Sequence, residues 1–243
     1  MAKRKHRYRR GYPVAVLVGL EERRAVLWRV FSEVVKLDGI VERGGEAEKG
    51  ELYDFHESIV NALRPIIKEG IKSIVIAAPA RTDYAKNVLD HIRKHHVWLV
   101  REGPNAATFG ELIWSASQLH EVHELVRTKE FRDAIGETTS RDAENIAAAL
   151  EKTLDSDTGT TVFYSLEEIE DFVDGRQDQS NLRPEHIVLT DKYLADTKVR
   201  GRILRLLQIS KNKGIKTTII NAETGAGLRL SQLGGLVCFA KSM

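Results

Sequence analysis

The chain has one cysteine, Cys238, in 243 residues, so no disulfide can close within it and a reducing compartment is the expectation. That cysteine lies in the apolar run Leu236-Val237-Cys238-Phe239-Ala240, where a thiol serves as a small buried hydrophobe. Long hydrophobic runs are also lacking. Residues 14–20 and 74–80 are among the longest, far below the ~20 residues that span a bilayer, and nothing near the start reads as a signal peptide. Membrane insertion is therefore not expected, and the cytoplasm is.

Acidic residues are missing from positions 1–12, which carry Lys3, Arg4, Lys5, Arg7, Arg9 and Arg10 with His6. The net charge of +2 conceals this: without those six cations, 31 basic face 35 acidic side chains. The basic charge is thus an arm, and Tyr8 and Tyr12 are interleaved with it. Arginines and lysines neutralise phosphates while aromatics stack on unpaired bases, so the arm reads as an RNA contact.

What is present is ordinary globular composition, 42% hydrophobic and 30% charged, in a length sufficient for one large domain or two small ones. Residues 14–20 and 25–31 read as strands joined across 21–24, with 33–37 a third. From 51 to 69, Leu52, Phe55, Ile59, Leu63, Ile66 and Ile67 recur at three and four, the pattern of one helix face, with a kink expected at Pro65 and a stop at Gly70. A buried strand over 71–78, a helix over 83–95 and a strand over 97–100 follow. Residues 103–154 read as mostly helical: Phe109, Leu112, Ile113, Ala116 and Leu119 form one face, and a second helix covers 141–154.

The run 155–160 is the linker candidate, small and polar throughout. After it come a strand at 161–164, a capping box and helix at 165–173, and a strand at 186–190. A helix at 199–213, a strand at 215–221, a short helix at 228–233 and a strand at 236–240 complete the chain. Helices alternating with apolar strands imply α/β sheets covered on both faces. The expected division is an arm at 1–12, one α/β/α domain at 13–154, the linker, and a second α/β/α domain at 161–243.

Between the third strand and the first long helix stands Glu42-Arg43-Gly44-Gly45-Glu46-Ala47-Glu48-Lys49-Gly50-Glu51, with one apolar side chain in ten. It cannot bury itself, and its three glycines allow close backbone approach to another molecule. Other constellations carry less. His120 and His123 are three apart, not the four of a zincin helix, and read as a solvated face. His91, His95 and His96, with Arg93 and Lys94, read as a polar or RNA-facing surface, not as a metal site. Pro79 to Asp83 lies at a strand's C-terminal end, where α/β folds often bind ligands. No acidic cluster able to hold two magnesium ions is evident, which argues against nuclease chemistry. No metal and no cofactor is expected.

The run Thr224-Gly-Ala-Gly-Leu-Arg-Leu-Ser-Gln-Leu-Gly-Gly-Leu-Val-Cys-Phe239 resembles the closing signature of the class-1 translation release factor and Pelota superfamily. Arg141-Asp-Ala-Glu144 followed by Val162-Phe-Tyr-Ser-Leu-Glu-Glu-Ile169 resembles that family's junction between central and C-terminal domains, and Ile187-Val-Leu-Thr-Asp-Lys-Tyr-Leu194 resembles the strand and turn beyond it. The motifs keep the family's order across residues 13–243. The resemblance implies a ribonuclease-H-like central-type domain and then a domain like the kink-turn-binding ribosomal proteins.

The resemblance also implies a site. Release factors carry Gly-Gly-Gln between a strand and a long helix and bring it to the peptidyl-tRNA ester; Gly44-Gly45-Glu46 occupies that place here. Glutamate has no N–H to donate and adds negative charge beside a developing oxyanion, although a carboxylate can serve as a general base. The family's N-terminal, codon-reading domain has no counterpart upstream of residue 13, and the kink-turn Gly-x-Asn-Glu motif is missing, so codon-independent action and a protein-binding second domain are expected. Two readings follow. One is a non-enzymatic factor for ribosome rescue, quality control or dormancy, touching rRNA through Lys3, Arg4, Lys5, Arg7, Tyr8, Arg9, Arg10, Arg43 and Lys49. The other is a peptidyl-tRNA hydrolase acting through Gly44, Gly45 and Glu46. The implied partners are the ribosome and peptidyl-tRNA, with a translational GTPase or a ribosome-splitting ATPase.

Overall fold

The computed structural model describes residues 13–31, 34–44, 50–101, 106–155, 160–176, 181–196 and 198–242. In chain order the elements are β1 (Pro13–Leu20), β2 (Arg24–Phe31), β3 (Val35–Glu42), α1 (Glu51–Lys68), β4 (Ser73–Ala78), α2 (Tyr84–His95), α3 (Val97–Val100), β5 (Thr108–Ile113), α4 (Leu119–Leu125) and α5 (Lys129–Asp155). Then come β6 (Thr160–Phe163), α6 (Leu166–Asp174), β7 (Leu182–Thr190), α7 (Asp191–Ala195), α8 (Arg200–Asn212), β8 (Lys216–Ile220), α9 (Gly225–Gln232) and β9 (Leu236–Ser242).

The first sheet has the order β3-β2-β1-β4-β5. β1, β2 and β3 form an antiparallel meander, while β4 and β5 add in parallel to β1, as a ribonuclease-H-like sheet requires. The period of two in β1 sends Val16, Val18 and Leu20 to one face, against Phe55, Ile59, Leu63 and Ile66 of α1 and Val88 and Ile92 of α2. Ala15 and Leu17 go to the other, against Val122, Leu125 and Phe131. The second sheet runs β6-β9-β7-β8. One face packs Ile187, Leu189 and Cys238 on α6 and α8, and the other packs Val188, Val237 and Phe239 on α9 and α5. The expected α/β class with two covered sheets is what forms.

Helix α5 belongs to both sheets. Phe131, Ala134 and Ile135 near its start join the first core, whereas Ala143, Ile146, Ala147 and Leu150 further along join the second. The change of core therefore falls inside one continuous helix. Most of the run 155–160, assigned to a linker, lies outside the described residues.

Several local assignments are corrected. Residues 97–100 are a single helical turn closed by Arg101 N–H donating to the Val97 carbonyl, not a strand, because only Leu99 has a core to enter. Residues 108–113 are strand β5 and not a helix face: they pair in register with β4 from Ser73↔Thr108 to Ala78↔Ile113. The α5 helix begins at Lys129, twelve residues before the expected 141. Pro65, the position of the expected kink, lies within the continuous α1 helix on its exposed face.

The Gln232-Leu-Gly-Gly signature has a backbone explanation. Gly235 has φ 82° and donates its N–H to the Leu230 carbonyl while its own carbonyl accepts from Thr190, which turns the chain out of α9 and into β9. Gly227 is constrained differently: a Cβ there would lie 2.0 Å from the Asn221 oxygen.

At the seam between sheets, the Thr217 N–H donates to the Glu69 carbonyl and the Thr218 hydroxyl donates to the Gly70 carbonyl. With its proton so committed, Thr218 Oγ1 accepts from His186 Nε2 at 2.9 Å, a chain that needs a proton on Nε2. Burial first, and then the fields of Lys72 and Lys216, hold His186 down to about 3. Asp142 of α5, buried nearby, is pushed up to about 6 by burial, opposed by the field of Lys72.

The signature and the seam can each be tested in urea. Gly235→Ala should lower stability by about 1–2 kcal/mol, the cost of a left-handed residue, whereas Gly227→Ala should cost about 3 kcal/mol because backbone must move. Below pH 6.5 the unfolded chain protonates its histidine while native His186 refuses the proton, so this stability is lost as pH falls, at roughly 1.4 kcal/mol per unit. Asp142 acts in the opposite sense, taking up its proton in the native state near pH 6 and contributing less stability as pH rises through it. In urea titrations between pH 6.5 and 4, His186→Gln should flatten the acid-side decline and Asp142→Asn should steepen it.

Candidate functional site

The candidate loop leaves β3 and enters α1, and its two ends are tied together. The Arg43 N–H donates to the Arg23 carbonyl, extending the β2–β3 pairing by one bond. Glu51, the first residue of α1, then receives Arg43 at 3.3 Å on Oε2 and Arg23 at 3.9 Å on Oε1. The nearer pair is shielded, with Arg43 20% and Glu51 13% exposed. Gly50, at φ 123°, offers its carbonyl to Asp54 N–H and so opens the helix.

Of the residues assigned to the site, Arg43 and Gly44 stand at the incoming end. Gly45, Glu46 and Lys49 lie outside the described residues, as do Lys3, Arg4, Lys5, Arg7, Tyr8, Arg9 and Arg10.

Beneath the attachment lies a face that sequence reasoning missed. Helices α1 and α2 pack together, and between them Tyr53 and His56 of α1 meet His91 and His95 of α2. Tyr53 makes edge contacts with His91 at 4.8 Å and with His95 at 5.1 Å, and the His56 and His91 rings are 5.2 Å apart. Burial, then the charges of His91 and Arg43, hold His56 down to about 4. His91 is likewise pushed below its ordinary value, by burial and then by His95 and His96. The reading of these histidines as a polar surface holds for His95 alone: the side chains of His91 and His96 are 5% and 7% exposed. His96 Nε2 is 2.8 Å from Glu57 Oε2 and His91 Nε2 is 3.6 Å from the same oxygen. The i, i+4, i+5 spacing of 91, 95 and 96 was visible, but its partners on α1 are more than thirty residues away, and only packing brings them in. His120 and His123 are exposed on α4, as expected of a solvated face.

No helix among the described residues is long and apolar enough to cross a membrane. No protein-family model matches the chain, and no curated protein matches it in sequence. Solved structures do. Ribosome-bound archaeal Pelota, described together with ABCE1, is similar over 92% of this chain and 60% of its own, with a TM-score of 0.50 and 16% identity. Dom34 of S. cerevisiae, described as a translation termination-like factor involved in RNA quality control pathways and interacting with Hbs1, is similar over 93% of this chain and 62% of its own, with a TM-score of 0.48 and 19% identity. The chain thus spans about three fifths of the length of these structures, and at such identities the likeness to archaeal Pelota is one of fold.

The attachment of the loop can be tested directly. Arg43→Ala, which leaves the shielded Glu51 carboxylate without its nearer cation, should cost about 1–2 kcal/mol in urea unfolding. Arg43→Lys, which keeps the charge without the planar fork, should recover only part of that loss.

Proposed function

We propose that this chain is a ribosome-associated, Pelota-like factor that acts without reading codons, in ribosome rescue, quality control or dormancy. The observation that carries the reading is the fold shared with ribosome-bound archaeal Pelota over nearly all of this chain. The arm with Lys3, Arg4, Lys5, Arg7, Tyr8, Arg9 and Arg10, together with Arg43 and Lys49 of the loop, supplies charge for ribosomal RNA. The loop between β3 and α1 is the element that enters the A-site region toward peptidyl-tRNA. The second sheet, with its covering helices, is the surface for a protein partner, either a translational GTPase or a ribosome-splitting ATPase. Archaeal Pelota is described on the ribosome together with ABCE1, which is in keeping with a protein partner for this chain.

The second reading is a peptidyl-tRNA hydrolase using Gly44, Gly45 and Glu46. It rests on the position of Gly-Gly-Glu between strand and helix. Its weakness is chemical: a glutamate cannot donate the hydrogen bond an amide gives, and its charge opposes that of the developing oxyanion.

Release of labelled peptide from peptidyl-tRNA on large subunits and stalled ribosomes, with co-sedimentation in the same samples, separates the readings. Binding without release is expected of the native chain, and Glu46→Gln should create or raise release. Release by the native chain that disappears on Gly45 or Glu46 substitution would establish the hydrolase instead, and absence of binding would remove both. Deleting residues 1–12 should weaken binding and lower its salt dependence, by about 0.7–0.9 in log–log slope for each phosphate that the arm had neutralised.

A further inference from the structure

The histidine face between α1 and α2 has no part in the ribosomal reading, and its chemistry stands independently of it. Glu57 Oε2 faces His96 Nε2 at 2.8 Å and His91 Nε2 at 3.6 Å, and the donor atoms of the three side chains all lie within 4.8 Å of one another. Hydrogen bonding explains only part of this arrangement. It satisfies His96, but His91 Nε2 is buried with no hydrogen-bond partner, aimed at an oxygen already engaged. Glu57 is itself held: Arg64 is 3.8 Å from its other oxygen, and the Arg64 guanidinium lies 5.3 Å from the centre of the Trp98 ring. That arrangement leaves Oε2 toward the imidazoles.

Two imidazoles and one carboxylate converging on one point are a donor set for zinc and similar first-row cations, with a further position open to water. Zinc–ligand bonds of about 2.0–2.2 Å in tetrahedral geometry put ligand atoms roughly 3.3–3.5 Å apart. The two carboxylate–imidazole spacings of 2.8 and 3.6 Å bracket that value, and the widest donor pair, at up to 4.8 Å, would close on the ion by rotation of the imidazoles. Small side-chain adjustments would close the set, and a bound cation would give His91 Nε2 the partner it lacks.

We propose that Glu57, His91 and His96 form a binding site for one Zn²⁺ ion, which cross-links α1 to the C-terminal end of α2. Glu57 is six residues into α1, so the ion would fix the helix about 9 Å from the point where the charged loop enters it. Arg64 is a positioning residue, orienting the carboxylate without touching the metal.

The test uses the full, tag-free chain, stripped with a chelator and titrated with Zn²⁺ alone against a chromophoric competitor, and with Co²⁺ as a spectroscopic stand-in. One equivalent of Zn²⁺ per chain is expected, with micromolar or tighter affinity and a rise in thermal midpoint that chelator reverses. Glu57→Gln and His96→Ala should each weaken binding at least tenfold, and His91→Ala should abolish the ligand-field bands of the Co²⁺ form. Arg64→Ala should weaken binding severalfold while leaving those bands in place, with Arg64→Lys restoring part of the affinity. His120→Ala with His123→Ala, on the exposed face of α4, should leave affinity unchanged. Glu57 is 29% exposed, and Glu57→Gln keeps its shape, so that variant remains informative if a histidine variant fails to fold, with far-UV circular dichroism as the check. Lack of stoichiometric Zn²⁺ binding, or affinity unchanged in Glu57→Gln, would reduce the cluster to imidazole–carboxylate packing.

Discussion

Helix α5 presents one apolar surface to two sheets, and the arrangement of the molecule depends on it. Thr138 marks the change of allegiance. Its hydroxyl lies 2.6 Å from the Ser73 hydroxyl at the start of β4, and its carbonyl accepts from Thr108 at the start of β5, so the helix is fastened by polar contacts to the first sheet. Two turns later, Ile146 and Leu150 are buried against Val188 and Phe239 of the second. At 1.5 Å per residue, 27 residues reach about 40 Å, enough to cover one sheet and continue over the next. Burial of Ala143, Ile146, Ala147 and Leu150 supplies the apolar stabilisation of the joint, and the hydrogen bonds from Thr217 and Thr218 to the Glu69 and Gly70 carbonyls set its registration.

The polar groups caught in this joint explain why it is specific and also pH-sensitive. Burying a charge is costly unless it is paired, so such groups shift toward their neutral forms. His186 remains neutral and donates, and Asp142 approaches neutrality well above the ordinary carboxylate range. Lys72, pushed down by burial, is partly supported by the field of Asp142. At the C-terminal end of α1, beside the same joint, Arg29 follows the opposite rule. Its guanidinium reaches Asp38 and Glu69, each at 2.6 Å, linking β2, β3 and the end of α1 in a charge-assisted network that stays charged because the partners are present.

What the sequence made legible was whatever depends on local period or on local backbone need. The three-and-four spacing from Phe55 to Ile67 gave α1, because one helix face is what that spacing builds. The Gly-Gly at 234–235, legible in the sequence only as part of the closing signature, takes left-handed φ at both positions, which is the backbone need behind it. The failures came where two periods fit the same residues. Phe109, Leu112, Ile113 and Ala116 suit a helix face by spacing, yet residues 108–113 pair along β4; Ile113 is 77% exposed at the end of that strand, so its apolar character signalled no core at all. Val97 to Val100 looked like a strand by β-branched content, but they form one helical turn that buries Leu99, whose carbonyl accepts from the Ala107 N–H just before β5. The histidine face was invisible for a further reason. Its members lie on two helices joined through β4, and no spacing within either helix encodes their meeting.

The loop between β3 and α1 draws on the same framework. Its base is built from charge pairs that lose little by partial exposure, and the helix it feeds is packed through α1 and α2 on a rigid core, so whatever the loop touches it approaches from a fixed anchor. A glutamine in the third place of Gly-Gly-x would bring a neutral donor to a carbonyl becoming an oxyanion; a glutamate brings a charge of the same sign. In water that difference is modest, but it would grow in the phosphate-lined, solvent-depleted site proposed for the loop, as the effective dielectric constant falls. Were the loop to reach peptidyl-tRNA as proposed, a glutamate in the third place would leave the chain without the neutral donor best suited to hydrolysis there. That chemistry is why the proposed role is occupation of the site and not hydrolysis.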